Sequence, residues 1–264
     1  MQRKPVNALA RGWLFALLLA AVVVPGVASG QESVPSWEVT PRVEYSDVTI
    51  NGNQGQWRSY SLMIARQLGE GESVFASVQR QQRNGDSDSG LQVGGYARIA
   101  EWNAMALVEA NPGAGFLPRW AFTLKADHAA SSNSRAGLGY RRLQFDASQI
   151  DIWSPYVTFY RGNDELGVSY LIGNNAALDH DIRVLQVRAL VFRGKNQLGA
   201  YLAHGDYIFD ALGLPGGSGS GWSATVVVAR ALTDRTTLRI ELGKGTESST
   251  FRQQSFALSL RYSP

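Results

Sequence analysis

After residue 30 the chain never gathers 18 consecutive apolar residues, yet from Trp37 onward apolar side chains return at every second position. Trp37, Val39, Val43 and Tyr45 share one parity while Glu38, Thr40, Arg42 and Glu44 hold the other. The same alternation runs through Tyr60–Leu62–Ile64, Trp120–Phe122–Leu124–Ala126, Leu238–Ile240–Leu242 and Phe256–Leu258–Leu260–Tyr262. A two-residue period builds strands with one apolar and one polar or small face, and helical stripes do not recur. Lipid admits only helices and closed barrels, because backbone polar groups must be satisfied within the protein. The chain is therefore expected to be either a soluble β protein or a transmembrane antiparallel up-and-down β-barrel, and the all-β barrel is the better fit.

The first thirty residues have a different character. Arg3, Lys4 and Arg11 precede an apolar run from Trp13 to Val24, followed by Pro25-Gly26-Val27-Ala28-Ser29-Gly30. That is the layout of a secretory signal peptide cut after Ser29 or Gly30. The run is short for a membrane helix, which needs about 20 apolar residues. The expected organisation is a signal peptide at 1–30, a short segment at 31–36 and a barrel over 37–264. Removing Arg3, Lys4 and Arg11 from the 25 basic residues leaves 22, equal to the 22 acidic ones, so the net charge of +3 is no sign of a nucleic-acid partner. The absence of cysteine excludes disulfides, thiolate metal sites and a cysteine nucleophile.

Strands are predicted near 37–46, 57–68, 73–83, 91–100, 104–110, 119–127, 135–145, 150–161, 166–173, 182–193, 197–204, 222–232, 236–244 and 252–262. That makes about fourteen, with twelve as the alternative, and an even number suits a bacterial barrel. Pro155 interrupts the eighth segment, and the tenth carries apolar residues on both parities. Connectors after even strands are mostly three or four residues, while those after odd strands, including 47–56, 84–90 and 205–221, are mostly seven or more; 128–134 and 146–149 break the pattern. Fourteen strands spaced about 4.8 Å apart and tilted near 40° enclose a backbone cylinder roughly 28 Å across. Such an interior holds water, an inserted loop or a plug.

Candidate sites follow from that interior. Arg42, Glu44, Arg80, Arg98, Lys125, Arg141, Arg183, Arg239, Glu241 and Arg261 are the charged strand residues expected to line the lumen. An excess of arginine would favour anions in a passive pore, and paired charges would instead close it. The long connector at 205–221 carries Tyr207, Phe209, Leu212 and Leu214 and could fold inward as a constriction. Six tryptophans, Trp37, Trp57, Trp102, Trp120, Trp153 and Trp222, fall near predicted strand ends, as an interfacial girdle requires.

Other constellations carry less. His128, His180 and His204 fall on both sides of the expected membrane and make no joint metal site. Asp179-His180-Asp181 could orient a base, or be a solvated loop of alternating charge. Asp86-Ser87-Asp88-Ser89-Gly90 opens like a calcium loop but lacks the closing Glu, so a polar hairpin loop is expected. Gly137-x-Gly139 has no third glycine or helix and reads as a strand position that a neighbour approaches closely.

Phe116-Leu117-Pro118-Arg119-Trp120, then Gly137-Leu138-Gly139-Tyr140-Arg141-Arg142-Leu143, then Ser154-Pro155 through Tyr160-Arg161-Gly162-Asn163 resemble, in order and spacing, the YaiO family of outer-membrane β-barrel proteins. The similarity runs from about Trp37 and is densest in the middle of the chain. It implies an outer-membrane location and a barrel, in a family without an established activity that is sometimes encoded near or fused to envelope or polysaccharide machinery. The chain departs from the aromatic terminus usual in such barrels, ending Tyr262-Ser263-Pro264.

The expected function is a non-enzymatic pore or a component of envelope or exopolysaccharide export, with no cofactor and no metal. The expected partners are outer-membrane lipid, the barrel-insertion machinery and polysaccharide export components. Two other readings stay open: a rim-sited hydrolase with His180 as base, and a secreted soluble β-barrel that binds a ligand.

Overall fold

The computed structural model describes residues 36–175, 180–206, 219–248 and 251–264. Fourteen strands follow in order: β1 (Trp37–Ile50), β2 (Asn53–Gly69), β3 (Glu72–Arg83), β4 (Asp86–Ile99), β5 (Trp102–Ala110), β6 (Trp120–Ser131), β7 (Ser134–Gln144), β8 (Gln149–Arg161), β9 (Asp164–Asn175), β10 (His180–Arg193), β11 (Asn196–Asp206), β12 (Ser220–Ala231), β13 (Thr236–Glu247) and β14 (Phe251–Tyr262). Each pairs antiparallel with its sequence neighbours, and β1 pairs with β14 from Val39↔Tyr262 to Ile50↔Phe251, so the barrel is closed. Closure leaves no sheet edge unpaired, which is the condition for backbone to cross lipid.

The alternation sorts cleanly onto two faces. Val43, Leu62, Val108, Leu124, Leu202, Val226 and Leu242 lie on the outward face, with Val108 59% and Leu242 58% exposed. In water that surface would drive aggregation, whereas in a bilayer it is the lipid-facing band. Pro155 points outward in β8, and pairing with β9 skips Ser154 and Pro155, passing from Trp153↔Ile172 to Tyr156↔Ser169. A proline has no N–H to give the ladder, and one missing rung is how this strand accommodates it.

The end of the barrel that carries both termini of the sheet has tight turns at 70–71, 100–101, 132–133, 162–163 and 194–195, with 232–235 the longest. Short turns face the periplasm in outer-membrane-type barrels, which makes this the inner end and the opposite one the outer end. Three expected loops prove to be strand. Residues 47–56 and 84–90 contract to turns at Asn51-Gly52 and Asn84-Gly85, where φ is positive at all four residues. Asn-Gly with two positive φ values is the preferred two-residue hairpin, because its twist matches that of the strands. Likewise 128–134 is mostly strand, with β6 running to Ser131.

Outward Trp37 and Trp102 mark the inner edge of the apolar band, and outward Trp120, Trp153 and Trp222 its outer edge. Trp57 does not belong with them. It points inward, its ring 6.1 Å from that of Phe251.

Candidate functional site in the barrel lumen

The inward face has two unlike halves. At the outer end Val48, Ala121, Leu143, Phe145, Ile150, Ile152, Leu171, Ile182, Val184, Ala203 and Phe251 form one apolar cluster, with Ile50 and Trp57 packed against it. Leu143, Ile182, Val184 and Phe251 are each 0% exposed. A water-filled lumen would wet these side chains, so here the interior is a packed core. Each large apolar group so buried stabilises the fold by about 1.5–3 kcal/mol.

The segment 111–119 between β5 and β6 completes the closure by folding over this end. The backbone N–H groups of Gly115, Phe116 and Leu117 donate to the Asp88 carboxylate at 2.8–3.0 Å. Three consecutive donors around one carboxylate make a strong, charge-assisted anchor. The Arg83 guanidinium lies 4.4 Å from the centroids of both Phe116 and Trp57, a double cation–π contact between the segment and the wall. Asn111 donates to Glu109 at 2.8 Å and to the Pro118 carbonyl at 2.7 Å. Leu117 and Ala114 are buried beneath it. Asp86 to Gly90 is thus the start of β4 rather than a hairpin loop, and Asp88 is the segment's anchor.

The inner half carries ion pairs set among buried apolar side chains, with Val227 0% and Leu190 4% exposed on the same inward face. Arg42 binds Glu44 at 2.9 Å and also Glu241, and Arg239 donates to Glu241 at 2.8 Å. Arg135 pairs with Asp127, which also accepts from the Tyr156 hydroxyl at 3.0 Å. Arg188 pairs with Glu165. Lys125 has no carboxylate within ion-pair distance among the described residues, and stands within electrostatic range of Arg141 and Arg188. Arg141 in turn feels the charge of Glu109. Glycines give these side chains room against the wall. A Cβ at Gly137 would meet the Tyr156 ring at 2.5 Å, and one at Gly139 the Ser154 hydroxyl at 2.3 Å.

Of the residues expected to line the lumen, Arg42, Glu44, Lys125, Arg141, Arg239 and Glu241 share the inward face, Arg141 across from Ile152 of the apolar cluster. Arg98 and Arg261 share the inward parity but stand at the inner mouth, 3.7 Å from Glu70 and Glu38 respectively. Arg80 and Arg183 do not belong to the set. Arg80 lies across from outward Tyr60 and shares the parity of Val74 and Val78, and Arg183 lies across from outward Ile172. Arginine does not outnumber acid in the lumen, since among the described residues Glu44, Asp88, Glu109, Asp127, Glu165 and Glu241 face inward against Arg42, Arg83, Arg135, Arg141, Arg188 and Arg239. Arg83, Asp88, Arg135 and Arg188 also face inward, beyond the set expected to line the lumen. Tyr207, Phe209, Leu212 and Leu214, Asp179 and the expected signal peptide lie outside the described residues. Among the described residues no group of histidines and carboxylates could hold a metal. His128 faces outward on β6 beside Trp102 and binds Glu101 at 2.8 Å, and His204 lies across from Trp222.

A closed fourteen-stranded antiparallel barrel with an apolar outward band defines a membrane β-barrel. The chain belongs to the family described as the YaiO membrane beta barrel domain, whose family model matches residues 39–207. No curated protein matches it. Among solved structures it is similar to a bacterial polysaccharide outer membrane secretin, with a TM-score of 0.52 at 9% identity over 85% of this chain and 97% of that one. It is also similar to the translocator domain of the autotransporter NalP from Neisseria meningitidis (TM-score 0.48, 11% identity, 92% of each chain). A third is an anion-selective porin from Comamonas acidovorans (TM-score 0.46, 10% identity, 88% of this chain and 100% of that one). At these identities the likeness is one of fold.

Proposed function

We propose that the protein resides in the outer membrane and serves envelope or exopolysaccharide export as a gated conduit. A vestibule open to the periplasm is lined by arginine–carboxylate pairs and Lys125, and a packed apolar septum closes it on the outer side. The observation that carries this reading is the complete burial of inward Leu143, Ile182, Val184 and Phe251 at the outer end of a barrel whose inner half holds the ion pairs Arg42–Glu241, Arg135–Asp127 and Arg188–Glu165. A simple diffusion pore has no use for a dry septum. A barrel with a purely structural role has no evident use for a charged vestibule. The secretin of similar architecture is described as a polysaccharide protein, and from it we take glycan as the cargo class.

The gate is the 111–119 segment with its Asp88 and Arg83 anchors. Single-channel recording in planar bilayers tests the proposal. The intact barrel should be closed most of the time, and Asp88→Ala combined with Phe116→Ala should raise its open probability at least tenfold. Steady, porin-like conductance from the intact protein would overturn the gate. Silence from both the intact protein and the variant would overturn the conduit.

A further inference from the structure

Above the apolar band, the outward face changes character in two different ways around the barrel. From β13 through β14, β1, β2 and β3 it carries Lys244, Arg252, Arg58 and Arg80, all exposed. The register brings them close together. Arg252 lies across from Thr49, Arg58 from Tyr45 and Arg80 from Tyr60, while Lys244 and Asp47 both stand across from Gln254. These positions lie just outside Leu242, Phe256, Val43 and Tyr60 of the lipid-facing band, at headgroup level. Among the described residues Asp47 is the only carboxylate on this outward patch, and it accepts from the Tyr45 hydroxyl at 2.8 Å. None of the four cations has an ion-pair partner among the described residues; the Arg80 guanidinium reaches only the Ser87 hydroxyl, at 3.3 Å.

The opposite side of the same rim is neutralised. Arg142 donates to Asp151 at 2.6 Å, and Arg183 lies 3.0 Å from Asp181. Cations held at headgroup depth without carboxylates need an anion from the surroundings, and each gains affinity for anionic headgroups there. We infer that the outer rim of β13–β14–β1–β2–β3 is a binding site for a phosphorylated glycolipid of the outer leaflet, with Lys244, Arg252, Arg58 and Arg80 holding its phosphate groups. The inference rests on the outer-membrane residence proposed above and is independent of gating.

Diphosphoryl lipid A is the probe, presented in mixed micelles to the purified full-length barrel, with binding read by titration. Arg58→Gln/Arg80→Gln/Lys244→Gln/Arg252→Gln should weaken binding at least tenfold, while Arg142→Gln/Arg183→Gln on the paired side should change it less than twofold. Lipid A stripped of both phosphates should bind the unaltered barrel at least tenfold more weakly, and affinity for the phosphorylated form should fall as salt rises. Inorganic phosphate at equal concentration should not compete, which separates the glycolipid from the free ion. Equal binding by the quadruple variant, equal binding of dephosphorylated lipid A, or an equal loss from the paired-side variant would each overturn the site. If the quadruple variant fails to show heat-modifiable mobility, the dephosphorylated lipid and the salt series on the unaltered protein decide the matter. A barrel that stays silent in bilayers yet binds lipid A fails as a conduit and keeps this site. A barrel that gates but ignores lipid A loses the site alone.

Discussion

The outer and inner halves of the lumen are built on the same strands, yet they solve opposite problems. On β10, inward Ile182 and Val184 belong to the dry septum, and four residues further on inward Arg188 is paired with Glu165. On β14, Phe251 is fully buried while inward Arg261 stands at the inner mouth beside Glu38. In a soluble sheet one face is core and the other solvent. Here one inward face is an apolar core at its outer end and carries ion pairs nearer the periplasmic end, so the change of character runs along the strand rather than across it.

That contrast predicts that one substitution will have opposite consequences at the two levels. Val184→Asp places a carboxylate among Leu171, Ile182 and Ala203 of the apolar cluster and should destabilise the barrel by about 3–5 kcal/mol or prevent folding. Ser61→Asp puts the same charge on the inward face directly across from Arg42, in the polar half, and should cost less than about 1 kcal/mol. Urea unfolding of each variant from detergent micelles, followed by heat-modifiable mobility, measures both. Similar losses at the two sites would mean that the halves differ in composition only and not in hydration.

An intermediate effect is expected within the vestibule itself. Glu241 is 8% exposed and joins Arg42 to Arg239, so Glu241→Gln leaves two guanidinium groups beside a neutral amide with Glu44 as the one remaining carboxylate of the cluster. Breaking one side of such a pair should cost about 2 kcal/mol, with the lost charge exposed to whatever enters from the periplasm. In the gate-opened background the same change should raise preference for anions, read as a shift in reversal potential under a salt gradient. An unchanged reversal potential would show that ions bypass this wall.

How much of this was legible in the sequence depends on which boundary is asked about. The faces were legible, since fourteen strands follow from a two-residue period and each was placed within a few residues. The level along the strand was not. Arg80 and Arg183 were assigned to the lumen because they are charged, although Arg80 shares its parity with Val74 and Val78 and Arg183 shares its own with Leu185 and Val187. The rule that outward residues are apolar holds only within the bilayer, and these strands continue past it. The loops expected at 47–56 and 84–90 have the same origin, because polar residues above the membrane were taken for loop when Asn51-Gly52 and Asn84-Gly85 already fixed tight turns. Arg188 was passed over for the converse reason, because Leu190 and Phe192 on its own parity disguised an inward row. Asp88 could not have been found this way, since its role depends on a segment 27 to 29 residues further along the chain.

The smallest effect belongs to the vestibule mouth, and it limits how far the polar half extends. Arg98 has the inward parity of the vestibule, but its side chain is 53% exposed and its contact with Glu70, itself 69% exposed, spans 3.7 Å. Water screens such a pair, and ordering two long side chains offsets the Coulomb gain. Arg98→Gln should therefore change stability by less than about 0.5 kcal/mol, against about 2 kcal/mol for the equally polar change at Glu241. Two charge-removing substitutions on one inward face then differ because one group is desolvated and the other is not. If Arg98→Gln proved as costly as Glu241→Gln, the dry region would reach the periplasmic mouth, and the lumen would be a single packed core from end to end.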